Sequence, residues 1–415
     1  MALPSDNLIS QYLAYTDSSE CPKIYSRWAA IVGIGALLGR STYISRGHFD
    51  IYPHIYAMLI GSSGTGKGTS IKLIARLLKQ AGYTRFSPNK VKPETFLKLL
   101  GGESGKVQSV EDFLWKDMNN ACSEMFVAAD EFNNFIGVGN LDFISILGEL
   151  WDCEGTFENP LATKADVVIQ NPSISILGGN TQTNFHTAFP PETIGQGFFS
   201  RLLLIHATPL GKKDAFPLLV APEVTANIVA ELSRIRGQNY GAITPSVTAQ
   251  KLLQKIYKQN PTIDDIRFDA YNNRRFTHLL KLCMILHAAQ FRSTSVLDEE
   301  TVIWANTILT VAELGMPKAL GEFGRARNSD IAHKVLDYIN SVHMLVTIQD
   351  IHKQVSQDIE RMAQLVEVLQ NLSQADKIQI IPGKGFLPKK KIHDYSTDDT
   401  LDLSLLTSHE TEGLI

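Results

Sequence analysis

No two cysteines in this 415-residue chain stand close enough to suggest a metal knuckle. Cys21, Cys122, Cys153 and Cys283 lie far apart, with no Cys-x-x-Cys pair and no His at zinc-binding spacing. Reduced thiols in a cytosolic protein are expected. A dominant charge is also missing, since 39 Lys+Arg face 43 Asp+Glu for a net charge of -4. That balance excludes a protein that coats nucleic acid or anionic membrane through bulk charge, so any nucleic-acid contact must come from local basic patches. Long apolar runs are lacking: the best, Ala29 to Leu38, falls short of the roughly 20 residues that span a bilayer. Pro4 and Asp6 interrupt the start where a signal peptide would need a basic stretch and then an apolar one. Neither secretion nor membrane insertion is expected. With 44% hydrophobic and 20% charged residues the composition is that of ordinary globular proteins, which excludes disorder throughout. The length suggests roughly two to three domains at about 150 residues each.

Residues 1–50 read as an N-terminal helical segment, with a helix over 5–40 whose Trp28, Ile31, Ile34, Leu37 and Leu38 share one face. Over 51–215, strand-like runs alternate with helical ones. The strands are Tyr56 to Ile60, Met125 to Ala129, Ser173 to Leu177 and Leu202 to His206; the helices include Lys67 to Lys79 and Phe143 to Trp151. This alternation predicts an α/β core with a largely parallel sheet. Past Pro217 the pattern is helical only, which predicts a separate helical lid over 222–320, followed by a Gly- and Arg-containing linker at 321–327. Residues 329–393 read as helix, helix, helix and a hairpin turning at Pro382-Gly383-Lys384, the pattern of a winged helix. From 394 to 415 there are acidic residues and no Lys or Arg, which predicts a disordered acidic tail.

Chemistry is concentrated in a few runs. Gly61-Ser62-Ser63-Gly64-Thr65-Gly66-Lys67-Gly68-Thr69 follows an apolar strand and opens a helix, the setting of a phosphate-binding loop. Its glycines let backbone N–H groups turn inward, the helix adds its dipole, and Lys67 supplies a charge for the β- and γ-phosphates. Gly68 stands where a Ser or Thr would ligate magnesium and Thr69 follows one place later, so Thr69 and Asp130 are the candidate Mg2+ ligands. Met125 to Ala129 ends in Asp130 and Glu131, suited to holding the metal through water and to polarising the attacking water.

The order of phosphate loop, Asp-Glu strand, polar-ended strand, Arg-led strand and helical lid resembles an AAA+ ATPase. Within that class the segments GSSGTGKGT, NPSISILGGNTQ and GQGFFSRLLLIHA resemble primase-helicase-type ATPases of bacteriophages and mobile elements, which are similar to superfamily 3 and minichromosome maintenance helicases. The resemblance implies a sensor role for Asn180 and an arginine finger at Arg201 that reaches the ATP of a neighbouring subunit. It implies that Arg274 or Arg275 contacts the γ-phosphate from the lid. It also implies that Lys164, near the tip of a hairpin over 156–169, touches single-stranded DNA in a central pore. A turn Asn, ordinary solvated arginines and a plain surface hairpin are the respective alternatives. Lys384, Lys389, Lys390 and Lys391 form a local basic patch for duplex DNA, unless the winged helix docks protein instead.

Together these readings predict an ATP- and Mg2+-dependent hexameric DNA helicase of phage or mobile-element replication, working in the cytoplasm, with a replication partner for the acidic tail. An initiator or helicase loader that assembles on DNA without translocating is the second expectation, and a nucleotide kinase the third.

Overall fold

The computed structural model describes residues 7–102, 123–159, 167–189, 197–209, 214, 216, 220–237, 241–291, 294–321 and 331–388, less positions 332–333, 337, 340–341, 343–344, 357–358, 360–361, 375–377 and 382–383. Cys122, Lys164, Lys389, Lys390, Lys391, most of the expected linker and the acidic tail lie outside these. Two compact units are present, one running to Gly321 and the other from Glu322 to Thr400.

In the first unit, the expected single helix over 5–40 is broken. Helix α1 (Leu8–Thr16) starts at Asn7, whose Oδ1 accepts from the Ser10 amide at 2.9 Å, and α2 (Lys23–Leu38) begins after Pro22. Every residue of α2 from Ile24 to Leu38 is buried, so it packs on all sides rather than along one stripe. Strand β1 (Thr42–Ser45) pairs antiparallel with β2 (Asp50–Ile51). Then β3 (Tyr56–Ile60), buried throughout, leads into α3 (Lys67–Gln80).

Helix α4 (Pro93–Leu100) precedes β4 (Glu124–Ala129), α5 (Phe132–Ile136) and α6 (Leu141–Asp152). The antiparallel hairpin of β5 (Thr156–Asn159) and β6 (Val167–Gln170) follows. It leads to β7 (Ser173–Asn180), α7 (Gln182–Ala188) and β8 (Leu202–His206). The main sheet has the order β4-β7-β3-β8, and its strands run parallel. This is the expected α/β core with a parallel sheet. β7 runs past Leu177 through two glycines, because a Cβ on Gly178 would sit 2.8 Å from Met58 Sδ and one on Gly179 2.6 Å from the Asp130 carbonyl. At Gly179 the obstacle is backbone and leaves no room for a side chain, whereas at Gly178 Met58 and Phe132 would have to shift.

The chain after Pro217 is not helical throughout. Between α8 (Pro222–Gly237) and α9 (Val247–Gln259) lie β9 (Gly241–Ala242) and β10 (Thr244–Pro245). The first pairs with β1 and the second with β11 (Val296–Leu297). The remaining helices are α10 (Asp269–Asn272), α11 (Arg275–Ala289) and α12 (Glu299–Leu320). They share the compact unit of the sheet instead of forming a separate one. Gly35 of α2 lies against Ile285 of α11, and Gly315 of α12 against His206 of β8. Among the described residues no helix is long and apolar enough to cross a membrane.

The second unit is built on Ile331, Val335, Ile339, Val346, Ile351, Val355, Leu365, Leu369 and Ile378. The described residues of 331–342 are helical. Helix α13 (Ile348–Val355) opens with a reciprocal Thr347–Asp350 capping box, and α14 (Met362–Gln374) leads to the antiparallel β12 (Ile378–Ile381) and β13 (Gly385–Pro388). Val346 bridges Phe386 and extends the hairpin's edge.

Candidate active site

The register of the parallel sheet gathers the site. Ile60 at the end of β3 lies opposite Asn180 on one side and His206 on the other, while Ala129 pairs with Gly178. The residues following these strands, including Gly61 and Asp130, therefore meet at one edge of the sheet. Glycine is required in the loop by backbone shape: Gly64 has φ +79° and Gly66 +86°, where a side chain would be strained. At Gly61 the reason is space, since a Cβ would meet the Tyr25 hydroxyl at 2.5 Å and the Ala207 carbonyl at 2.8 Å.

The loop is held from below by α2 and the segment before it. Tyr25 Oη donates to the Ile60 carbonyl at 2.7 Å, and Cys21 Sγ to the Gly66 carbonyl at 3.4 Å. The Thr65 hydroxyl donates to the Ser62 carbonyl at 2.5 Å. Ser62, Ser63 and Gly64 stay exposed above this support. Lys67, 9% exposed, folds back and donates to the carbonyls of Gly61 at 2.9 Å and Ser62 at 2.7 Å. Burial lowers its pKa. An anionic ligand over the loop would offer this ammonium stronger acceptors than the two neutral carbonyls it now uses.

Helix rotation sets the acidic side of the site. Gly68, rather than Thr69, faces Asp130: a Cβ on Gly68 would lie 3.5 Å from Asp130 Cβ and 4.0 Å from its Oδ2. One residue further turns a helix by about 100°, and Thr69 is exposed. One turn on from Gly68, Lys72 Nζ sits 2.7 Å from Asp130 Oδ2 and neutralises it. Asp130 could accept a hydrated divalent cation in place of that ammonium. Glu131 is exposed and accepts from Asn134 Nδ2 at 2.6 Å. Asn180, 5% exposed, donates from Nδ2 to Asn133 Oδ1 at 2.6 Å, and Asn133 donates to the Asn184 carbonyl at 2.6 Å. Sequence reasoning missed Lys72, Asn133 and Asn134. Only the i, i+4 step from Gly68 to Lys72 could have signalled the first.

Arg201 lies at the opposite edge. Leu202 pairs with Tyr56 at the start of β3, so the residue before it sits a full strand away from its own loop. Arg201 donates to Asp152 and to the Gly197 carbonyl, and Arg274 Nη1 donates to the other oxygen of Asp152 at 3.3 Å. Both guanidinium groups stand over the Trp151 ring, at 5.7 and 5.8 Å, and Lys281 Nζ is 4.2 Å from the same ring. Lys281 is deeply buried and donates to the Tyr52 carbonyl at 2.7 Å; burial holds its pKa well below the usual range. Arg40, Asp50, Tyr52 and Glu154 complete a cleft of about 690 Å3 here.

Arg275, the other lid candidate, turns inward. It is 2% exposed, donates to Glu313 at 3.0 Å and to Asn306 and Thr310 at 3.1 Å, and thus belongs to the interior of the helices. The remaining described candidate, Lys384, lies in the second unit beside β13. His278 bonds the Ser200 carbonyl at 3.1 Å, and His287 the Thr294 carbonyl at 2.6 Å. No group of three or more His, Cys, Asp or Glu placed to hold a metal occurs among the described residues. Cys21, Cys153 and Cys283 are free thiols.

Compared with known proteins, the chain matches no family model and no curated protein.

Proposed function

We propose that the first unit is an AAA+-type ATPase that acts as a ring, and that the chain is a DNA helicase of phage or mobile-element replication. The observation that carries this reading is the placement of Arg201 and Arg274 at the edge of the sheet away from Lys67, Asp130 and Asn180. A complete phosphate cradle at one edge and paired arginines at the other suit head-to-tail association, in which the arginines of one subunit reach the nucleotide of the next.

In that assembly the loop amides and Lys67 bind the phosphates of ATP, and Asp130, now paired with Lys72, would hold Mg2+. When bound, the metal would supply charge neutralisation to the phosphates. Glu131 takes the proton of the attacking water, Asn180 orients that water, and Arg201 and Arg274 stabilise the charge that develops on the leaving group. Lys164, in the sequence between β5 and β6 and outside the described residues, is assigned to single-stranded DNA. We assign the second unit as a winged helix that holds duplex DNA through Lys384 and Lys389 to Lys391. Ring size is set at six by analogy with the helicases the sequence resembles.

The test mixes Lys67→Ala subunits, which bind no nucleotide, with Arg201→Ala subunits, which lack the finger. Each alone is inactive, and mixed rings regain part of the ATPase. Monomers whose ATPase ignores both single-stranded DNA and Arg201 would overturn the proposal. Assembly on DNA with no unwinding would favour the initiator or loader.

A further inference from the structure

In a single subunit both terminal nitrogens of Arg201 are already engaged. Its Nη1 is engaged by the Gly197 carbonyl and its Nη2 by Asp152, while its Nε is enclosed without a hydrogen-bond acceptor. Arg274 is drawn to the same carboxylate. Asp152 itself is the last residue of α6, in a final turn that holds no basic residue. A carboxylate at that negative end of the helix dipole is unfavourable unless cations cover it, and here the two arginines do so. The group remains within reach of an incoming ligand, since the side chain is 42% exposed at the rim of the open cleft.

We propose that Asp152 is an intramolecular latch: it occupies Arg201 and Arg274 in the isolated subunit and gives them up only to the terminal phosphate of a neighbour's nucleotide. The inference rests on the ring reading above and adds its regulation. A terminal phosphate bears more charge and more acceptor oxygens than one carboxylate, so it competes successfully for both guanidinium groups, whereas a nucleoside diphosphate, which lacks that phosphate, does not. Assembly is thereby tied to the triphosphate state. The released carboxylate stands next to Cys153, Glu154 and Gly155, which lead straight into β5, so the latch is joined by the chain itself to the hairpin assigned to DNA. Asp152 acts through the arginines and is a positioning residue.

The experiment compares the full-length protein with Asp152→Asn, reading ATPase per subunit and particle size by light scattering as functions of protein concentration, with ATP and with ADP. The latch predicts that Asp152→Asn reaches half-maximal ATPase at roughly two- to fivefold lower protein concentration, the upper part of the range of a partly exposed ion pair. Asp152→Glu, which keeps the charge, retains the wild-type threshold. In an Arg201→Ala background, where ATPase is lost and assembly is read by light scattering alone, Asp152→Asn no longer lowers the protein concentration at which particles form. A folded Asp152→Asn protein with an unchanged or higher threshold overturns the latch, as does a shift that persists without Arg201. Should Asp152→Asn not fold, Asp152→Ser is subject to the same comparison. A wild-type ATPase independent of protein concentration and of Arg201 overturns the ring reading itself, and is seen without any change at Asp152.

Discussion

Gly68→Ser tests the metal side of the site most directly. The position lies in the first turn of α3, its φ is not in the left-handed region, and the nearest atoms to an added Cβ are those of Asp130 at 3.5 and 4.0 Å. A serine therefore fits without displacing backbone. Two gains are expected. Helix propensity contributes about 0.5 kcal/mol, because glycine in a helix is worse than serine by roughly that amount. The new hydroxyl, beside the Asp130 carboxylate, would add a ligand to the proposed Mg2+ site. A contact of this kind is worth about 1 to 1.5 kcal/mol, so the Mg2+ concentration for half-maximal nucleotide binding should fall roughly five- to tenfold. The assay titrates Mg2+ at fixed fluorescent ATP analogue, with Thr69→Ala measured in parallel. An unchanged Mg2+ requirement in Gly68→Ser, joined to a large loss in Thr69→Ala, would refute the reasoning and restore Thr69 as the ligand.

Arg275→Ala leaves Glu313 buried without its main partner and should destabilise the first unit by about 3–5 kcal/mol, read as a drop in its urea midpoint; a change below 1 kcal/mol would show the pair to be dispensable. Asn133→Ala should slow hydrolysis as much as Asn180→Ala while sparing ATP binding, and the double variant should be no worse than either, since the two side chains form one hydrogen-bonded unit. Full additivity would separate their roles. Burial pushes His278 down to about 3, against about 6.5 in the unfolded chain. The unfolded chain thus takes up a proton that the folded one excludes: stability is complete above about pH 6.5 and falls by about 1.4 kcal/mol per unit as pH drops toward 3. His278→Gln should flatten that slope in urea titrations between pH 4.5 and 7, and an identical slope would place the acid sensitivity elsewhere, His54 being depressed in the same direction.

Features that depend on local pattern were legible in the sequence. The glycine spacing of 61–68, the apolar runs of β3, β4 and β8, and the carboxylates after β4 announce themselves because each is decided by neighbours in the chain. The end of β7 was not, since Gly178 and Gly179 read as a turn until Met58 and Asp130 are seen to crowd them. Arg274 and Arg275 look equivalent in a row of letters. One residue of helical rotation sends the first to Asp152 and the second to Glu313. Asp152 gave no signal at all, because its importance comes from two arginines that are remote in sequence. The short strands β9, β10 and β11 escaped notice for a related reason: two residues have no periodicity, and only their partners make them strands.

Helix α2 has a mechanical consequence. Near its start Tyr25 is tied to the end of β3 under the phosphate loop. Just past its end, Arg40 grips the carbonyls of Cys153 at 2.6 Å and Pro172 at 3.0 Å, one before β5 and one after β6. The helix between these anchor points is about 24 Å long and encased in side chains on every side. It is therefore a stiff strut whose two couplings are the 61–69 loop, proposed to bind nucleotide, and the root of the β5–β6 hairpin, proposed to touch DNA. A tilt imposed at one coupling would reach the other with little lost to bending, so the helix is built to link loop and hairpin as the two ends of a single lever.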